Sequence, residues 1–282
     1  MRIFITGIAG FLGSHLADAL ISDGHTVFGC DNLIGGYIDN VPPQAVFHQV
    51  DCQDIRSMND LLSGIDVVYH CACTAYEGLS LFSPHQVVEN TFGISASVFS
   101  AAINRRVKRI VYCSSMARYG TQDDLPFVET MKAKPQDPYG IAKVASEELL
   151  RTLASVHGIE YVICVPHNII GTRQKYDDPY RNVASIMINL VLQGRQPIIY
   201  GDGKQKRCFS DIRDVIGPLV KMLDEKEIVG EVINVGPDEE FIEINTLAMK
   251  ISDMIGCKHH PIYVPCRPRE VKNASCRSEE HT

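Results

Sequence analysis

Short apolar runs alternate with stretches of helical periodicity through the first half of the chain. Residues 2–6 and 26–30 read as strands, with a helix over 11–22 between them. A weaker strand at 46–50 and a stronger one at 66–70 precede a helix over 87–104, a strand at 109–114, a helix over 139–157 and a strand at 161–165. The runs Asp66-Val67-Val68-Tyr69-His70 and Arg109-Ile110-Val111-Tyr112-Cys113 are apolar at successive positions. Strands of a parallel sheet look like this when helices cover both faces. The β-α alternation therefore predicts an α/β fold with a doubly wound parallel sheet.

After Pro166 the pattern loosens. Residues 171–182 are polar and rich in turn formers, residues 183–193 are helical, and a basic, glycine-punctuated segment runs from Gly201 to Arg207. A helix near 215–223 and a strand at 231–235 follow, the strand returning to the main sheet. The expected organisation is a nucleotide-binding domain over 1–165, to which 208–236 returns, and a smaller interleaved substrate-binding domain over 166–207 and 237–276. There is no internal repeat and no low-complexity linker.

With 282 residues, 45% of them hydrophobic, the chain is long enough for one large α/β unit or two closely joined ones. A net charge of −7 argues against a nucleic-acid or anionic-membrane surface. No apolar run approaches the roughly 18 residues of a membrane span. No signal peptide opens the sequence, so a cytoplasmic protein is expected. Of the ten cysteines, Cys30, Cys71, Cys113 and Cys164 fall in or at the end of expected strands, where a free thiol packs as a small hydrophobe. Cys257, His259, His260, Cys266 and Cys276 lack paired zinc-ligand spacing, so reduced thiols and no metal are expected.

Gly7-Ile8-Ala9-Gly10-Phe11-Leu12-Gly13 joins the first strand to the first helix. Glycines there permit a tight turn and let the backbone approach a pyrophosphate resting on the helix N-terminus, the arrangement of a Rossmann-type dinucleotide site. The spacing is Gly-x-x-Gly-x-x-Gly, and strand, turn and helix come in the required order. Asp31 ends the second strand, eighteen residues beyond Gly13. A carboxylate in that place accepts hydrogen bonds from ribose hydroxyls and repels a 2′-phosphate, which favours NAD over NADP. Asp51 after the third strand is a candidate adenine contact.

Tyr139 and Lys143 stand four residues apart, on one helical face. A free phenol, with a pKa of roughly 10, is a poor base at neutral pH. A neighbouring ammonium stabilises the phenolate and brings it toward working range. Ser115 follows the fifth strand, where a hydroxyl can hydrogen-bond a substrate oxygen.

Together these residues resemble the NAD-dependent epimerase/dehydratase family of extended short-chain dehydrogenases/reductases, and within it the UDP-glucose 4-epimerases. The marks are the glycine turn, Asp31-Asn32-Leu33, His70-Cys71-Ala72, Asn90-x-x-Gly93, Ser114-Ser115 with Tyr119-Gly120, and Tyr139-x-x-x-Lys143. In the second half come His167-Asn168-Ile169-Ile170-Gly171, Arg207-Cys208-Phe209-Ser210 and Arg267-Pro268-Arg269-Glu270-Val271. The resemblance implies that Gly7, Gly10, Phe11, Leu12 and Gly13 cradle the pyrophosphate, with Asp31 and Asn32 on the adenosine and Asp51 and Cys52 bordering the adenine. It implies Cys71, Ala72, Asn90 and His167 beside the cofactor, Ser115 on the sugar hydroxyl, Tyr139 as base and then acid, and Lys143 on the nicotinamide ribose. Asn168, Asn182, Arg207 and Arg267 match positions that grip the nucleotide diphosphate, and arginine forks suit such oxygens. A homodimer through the helices at 87–104 and 139–157 is also implied.

The related 4,6-dehydratases carry Asp-Glu directly after the active-site hydroxyl, and the decarboxylases usually a glutamate at the second place. Here Met116 and Ala117 stand there, and neither carries a proton. A UDP-sugar 4-epimerase is therefore expected, with a 4,6-dehydratase drawing on Glu77 as the alternative. A non-catalytic NAD-sensing protein is disfavoured because Tyr139 and Lys143 are both kept. Arg118 and the stretch Tyr76-Glu77-Gly78 depart from the usual epimerase pattern, and Arg118 is expected to add a charge near the active site. The family usually runs some tens of residues further. Residues 277–282 match what a common sequencing adapter encodes in one frame, so a cut near Cys276 with a non-native tail is expected.

Overall fold

The computed structural model describes all residues except 123–124, 178–181, 238–240, 257–259, 267–272 and 275–282. Arg267, Cys257, His259, Cys276 and the expected tail at 277–282 thus lie outside the described residues. The elements of the first half are β1 Arg2–Thr6, α1 Phe11–Ser22, β2 Thr26–Asp31, β3 Val46–Gln49, α2 Ile55–Leu61 and β4 Val67–His70. Two short helices follow, α3 Glu77–Ser80 and α4 Pro84–Val88. A wide π-helical turn, Glu89–Gly93, then leads into α5 Ile94–Asn104. Next come β5 Arg109–Cys113, α6 Pro138–His157, β6 Glu160–Pro166, β7 Ile169–Ile170, α7 Val183–Leu192, β8 Ile198–Tyr200, β9 Lys206–Arg207 and β10 Ser210–Asp211. The chain closes with α8 Ile212–Lys221, β11 Val232–Val235, β12 Ile242–Glu243, α9 Ile244–Ile255, β13 Ile262–Val264 and β14 Asn273–Ala274.

Seven strands form one parallel sheet in the order β11-β6-β5-β4-β1-β2-β3. This is the doubly wound Rossmann-type arrangement that the alternation predicts. β11 returns to the sheet from the far part of the chain and pairs with β6. Side chains alternate between two apolar layers. Ile3 and Ile5 face one side with Val67, Val111 and Val162, while Phe4 faces the other with Val68, Ile110 and Ile163. A third, smaller core gathers Met187, Val191 and Ile199 with Ile244, Ala248 and Ile251.

The expected helix at 87–104 begins earlier, because Pro84 fits the first turn of α4, and it is interrupted by the wide turn. Three helices were not expected: α2, the single-turn α3 and α9. Asp54 caps α2 by accepting from the Arg56 and Ser57 amides, but α2 buries only Met58 and so carries little periodic signal. α9 buries Ile244, Ala248 and Ile251 at helical spacing and ends at Gly256, whose φ of 74° suits the left-handed cap. Among the described residues, no helix is long and apolar enough to cross a membrane.

Candidate active site

The carboxyl ends of the central strands open into two adjoining clefts with Tyr139 in the wall of both. The first is built on the turn after β1. Gly7 has φ +73°, and a Cβ there would lie 3.0 Å from the Ala72 backbone; on Gly13 it would lie 2.3 Å from the Gly7 carbonyl. Only hydrogen at these positions lets α1 sit directly on the turn. Gly10 caps α1 without a side-chain acceptor. The first-turn amides, flanked by Phe11, Leu12 and Gly13 in the cleft wall, are thus left without a side-chain cap, an arrangement suited to an anion.

Asp31 is buried at the end of β2. Its Oδ1 accepts from the Leu33 amide at 2.7 Å and its Oδ2 from the Ala9 amide at 3.1 Å. Burial raises this carboxyl, while the Leu33, Ala9 and Gly10 amides pull it back. A carboxylate offers about four acceptor sites, so the three amides leave room for a ribose hydroxyl. Asn32 Nδ2 donates to Asp51 Oδ2 at 2.9 Å, and the Cys52 sulfur lies 3.6 Å from that of Cys30; Asn32, Asp51 and Cys52 line the cleft beyond Asp31. Asn90 accepts from Gln53 Nε2 through its side chain at 3.0 Å and from the Thr74 amide through its carbonyl at 3.1 Å. It ties the loop after β4 to the wide helical turn. Of the residues expected at the cofactor, all but His167 line this cleft, and the donor set fits NAD.

The residues expected to carry the chemistry gather where α6 begins. Asp137 caps the helix by accepting from the Gly140 amide at 2.9 Å, and Pro138 occupies its first turn. A Cβ on Gly140 would stand 2.7 Å from the Ala117 carbonyl, so α6 packs tightly on the 116–118 turn and Tyr139 comes into hydrogen-bond contact with Ser115. The Ser115 hydroxyl accepts from the Ala117 amide at 3.2 Å, which leaves its proton to donate. Lys143 Nζ donates to the Cys113 carbonyl at 2.6 Å and stands 5.8 Å from the Tyr139 ring centre. Burial pushes the Tyr139 phenol well up; Cys73 and Glu77 push the same way, while Lys143 and Ser115 pull it down. Burial pulls the Lys143 ammonium down, but Cys73, Tyr112, Tyr139 and Cys113 outweigh it and hold the group above its ordinary range.

Arg118 does not reach the site. It is 5% exposed, lines neither cleft, and its guanidinium meets the wholly buried Glu147 at 3.1 Å. Ser114 Oγ donates to the same carboxylate at 2.5 Å. A buried cation needs a partner more than it needs the cleft, which is why the expected extra charge is absent. His70 is likewise structural. Ser95 Oγ donates to the Thr91 carbonyl and so accepts from His70 Nε2 at 3.0 Å, which leaves Nδ1 to accept from Thr6 at 2.7 Å.

The second cleft encloses about 620 Å³, within the roughly 300–1,000 Å³ of small-molecule sites. Ser115, Asn168, Asn182 and Arg207 all line it. Asn168, at φ 37°, donates from Nδ2 to the Cys208 carbonyl at 3.2 Å, and Asn182 caps α7 through the Ala184 amide at 2.9 Å. His167 lines this cleft rather than the first. Its amide donates to the Val235 carbonyl and its own carbonyl accepts from Ser210 Oγ, which fixes the backbone. Burial, with Arg207 nearby, holds the imidazole down to about 4, so it is neutral at pH 7. Two features gave no sign in the sequence. Cys73 lies beside the Tyr139–Lys143 pair, and Tyr37 donates to Asp177 at 2.7 Å across 140 residues, tying the loop after β2 to the segment after β7. The described cysteines are free, and among the described residues no three His, Cys, Asp or Glu side chains gather as a metal site.

A model of the NAD dependent epimerase/dehydratase family matches residues 3–236. A putative UDP-glucose 4-epimerase of Methanocaldococcus jannaschii is 33% identical over 276 residues, covering 95% of this chain and 87% of its own. A UDP-N-acetyl-alpha-D-glucosaminuronate decarboxylase of Bacillus cytotoxicus is 31% identical over 274 residues, covering 94% and 83%. The crystal structure of a UDP-glucose 4-epimerase of Thermotoga maritima with UDP-glucose superimposes with a TM-score of 0.93 at 28% identity, covering 99% of this chain and 90% of that one.

Proposed function

Because the chain belongs to the NAD dependent epimerase/dehydratase family, we propose that it is an NAD-dependent 4-epimerase of UDP-sugars, of the UDP-glucose/UDP-galactose type. One observation carries the reading. Tyr139, with Lys143 and Ser115 against it, stands between the two clefts, while the neighbouring wall positions are Met116 and Ala117. Met116 and Ala117 carry no proton, so the positions that serve a dehydratase or decarboxylase are silent here and Tyr139 acts at the sugar's 4-oxygen.

Bound NAD supplies a reversible hydride acceptor beside Tyr139. The glycine turn and the α1 amides hold the pyrophosphate, and Asp31 holds the ribose hydroxyls and repels a 2′-phosphate. Ser115 donates to the sugar 4-oxygen and orients it. Tyr139 takes the 4-hydroxyl proton, and Lys143 holds the phenolate charge that results. After the keto sugar has turned over, Tyr139 gives the proton back to the same oxygen in the opposite configuration. Asn168, Asn182 and Arg207 grip the nucleotide diphosphate.

In this reading residues 1–165 with 208–236 form the cofactor domain, and 166–207 with 237–276 the substrate domain. The protein is a cytoplasmic homodimer paired through α4–α5 and α6, where Val88 and Ile141 stand 37% and 54% exposed. Incubation with UDP-glucose and NAD, followed by NMR, tests the activity. UDP-galactose that appears with the wild type and not with Tyr139→Phe supports it. A 4-keto-6-deoxy product would replace it with a dehydratase working through Glu77.

A further inference from the structure

Two strand-end thiols meet in the wall of the dinucleotide cleft. β4 and β5 run parallel with His70 opposite Tyr112, so the next residues, Cys71 and Cys113, stand side by side at the carboxyl ends. Their sulfurs lie 3.5 Å apart. Cys113 also stands opposite Cys164 of β6, which puts three thiols in one row against the same apolar layer. The row is not uniform. Cys71 is partly buried and lines the cleft with Cys113, whereas Cys164 is 0% exposed and lines neither cleft. A small solute entering the dinucleotide cleft therefore reaches Cys71 and Cys113 and not Cys164.

The two sulfurs differ in reactivity. Lys143 Nζ donates to the Cys113 carbonyl at 2.6 Å, which brings its ammonium to the Cys113 end of the pair. The hydrogen bond with Cys71 holds the Cys113 thiol below its ordinary value against the opposing effect of burial, and Lys143 adds to it. The same bond, with burial, pushes Cys71 up. The thiolate is the nucleophile in cysteine oxidation, so Cys113 reacts first and Cys71 follows.

We propose that Cys71 and Cys113 form a reversible oxidation site for hydrogen peroxide, closing to a disulfide that weakens NAD binding. The Cys113 thiolate attacks one peroxide oxygen. An S–O bond forms, the O–O bond breaks, and the leaving hydroxide takes a proton to become water. The Cys71 sulfur then attacks the sulfur of the Cys113 sulfenic acid. The S–S bond forms, the S–O bond breaks, and the Cys71 proton leaves with the hydroxyl as a second water. The two thiols are oxidised to one disulfide and one peroxide is reduced to two waters. Exchange with an external dithiol returns the pair to its reduced state.

The bond acts on the cofactor through packing already present. The Ala72 amide, next to Cys71, donates to Thr6 Oγ1 at 3.2 Å, and the Ala72 backbone lies only 3.0 Å from where a Cβ on Gly7 would stand. Drawing Cys71 toward Cys113 therefore shifts the loop that backs the glycine turn. On the other strand, Cys113 carries the carbonyl that holds Lys143 and leads directly into Ser114. Because both thiols line the cleft that takes NAD, cofactor and oxidation oppose each other, and each weakens the other. This needs the cofactor cleft and no sugar reaction, so it stands apart from the epimerase reading.

The test uses the full wild-type chain with NAD near its dissociation constant and at about a hundredfold excess over it. Hydrogen peroxide is added, remaining thiols are blocked with iodoacetamide, and unreduced peptides are mapped by mass spectrometry. A Cys71–Cys113 cross-link is expected, formed at least about tenfold more slowly at the higher NAD level. The oxidised protein should bind NAD at least about tenfold more weakly by fluorescence titration, and dithiothreitol should restore the binding. Cys71→Ala should lose that recovery, because the Cys113 sulfenic acid then goes on to the sulfinic acid, whereas Cys164→Ala should keep it. Thermal melting before oxidation checks the fold of each variant, and the wild-type map decides the matter if either fails to fold. Cross-linking of Cys113 to Cys164 overturns the proposal, as does a Cys71–Cys113 pair left reduced while the exposed Cys266 is oxidised. So does a cross-link that forms equally fast at both NAD levels or leaves NAD binding unchanged.

Discussion

Glu147 is 0% exposed and accepts from Ser114 Oγ at 2.5 Å, from Arg118 at 3.1 Å and from Arg151 at 3.4 Å. The Arg118 side chain is itself 6% exposed. Glu147→Ala leaves that guanidinium buried without its counter-charge, which costs about 3–5 kcal/mol. For a chain of this length roughly 2 °C of melting temperature goes with each kcal/mol. The expected loss is therefore about 6–10 °C in a thermal melt of the NAD-loaded protein. The decisive control is the double variant Arg118→Met/Glu147→Met, which removes both charges and keeps the volume. It should recover most of the loss, short of about 1 kcal/mol for the Ser114 hydrogen bond. Because Ser114 precedes Ser115, Glu147→Ala should also lower kcat/KM, and the double variant should restore only part of it. A single variant melting within 2 °C of the wild type, or a double no better than the single, would refute the view that the ion pair is the only stable place for Arg118.

Lys143→Met removes the ammonium that pulls the Tyr139 phenol down, so the rising limb of the kcat/KM–pH profile should move to higher pH; an unmoved limb would assign Lys143 to cofactor binding alone. Gly13→Ala places a methyl 2.3 Å from the Gly7 carbonyl, and loss of NAD binding at least about tenfold is expected by fluorescence titration. His70 and His167 are held down by burial to about 3 and about 4. Their neutral forms therefore contribute stability that is complete above the unfolded value of roughly 6.5 and is lost as pH falls toward those lower values. Urea melts at pH 7.5 and 5.5 should show the drop, and His70→Gln should shrink it; equal midpoints for the wild type would contradict the assignment. Tyr37→Phe removes the 2.7 Å bond to Asp177 and should speed NAD release in a stopped-flow displacement with excess nucleotide, a rate left unchanged if the tie is incidental.

The cofactor half was legible because its physics is local. A strand apolar on both faces, a glycine turn and a helix start lie within residues 2–22, and the structure places β1 and α1 at the expected bounds. The Tyr139–Lys143 pair was legible as a spacing of four. The same stripe continues to Glu147, a further four residues on, and would have revealed the partner of Arg118 had the spacing been carried one step further. α9 was also readable from the spacing of Ile244, Ala248 and Ile251, but its neighbours are mixed enough to mask it. The tie between Tyr37 and Asp177, and the approach of Cys73 to Tyr139, could not have been read. They join segments whose distance is set by the whole sheet and leave no periodicity behind.

The wide turn at Glu89–Gly93 sets the number of residues between two fixed points. Each helical residue turns the chain by about 100°, so the extra residue in a π turn re-aims everything after it by more than a quarter of a revolution. Upstream, α4 lies against α3 and α6; downstream, α5 also meets α2. At the turn itself the Asn90 carbonyl reaches the Thr74 amide beside the dinucleotide cleft. The wide turn thus couples the register of α5 to the loop beside the dinucleotide cleft. The segment therefore tolerates no change in length, since losing a single residue would swing α5 out of register with α2 and withdraw Asn90 from Thr74 together.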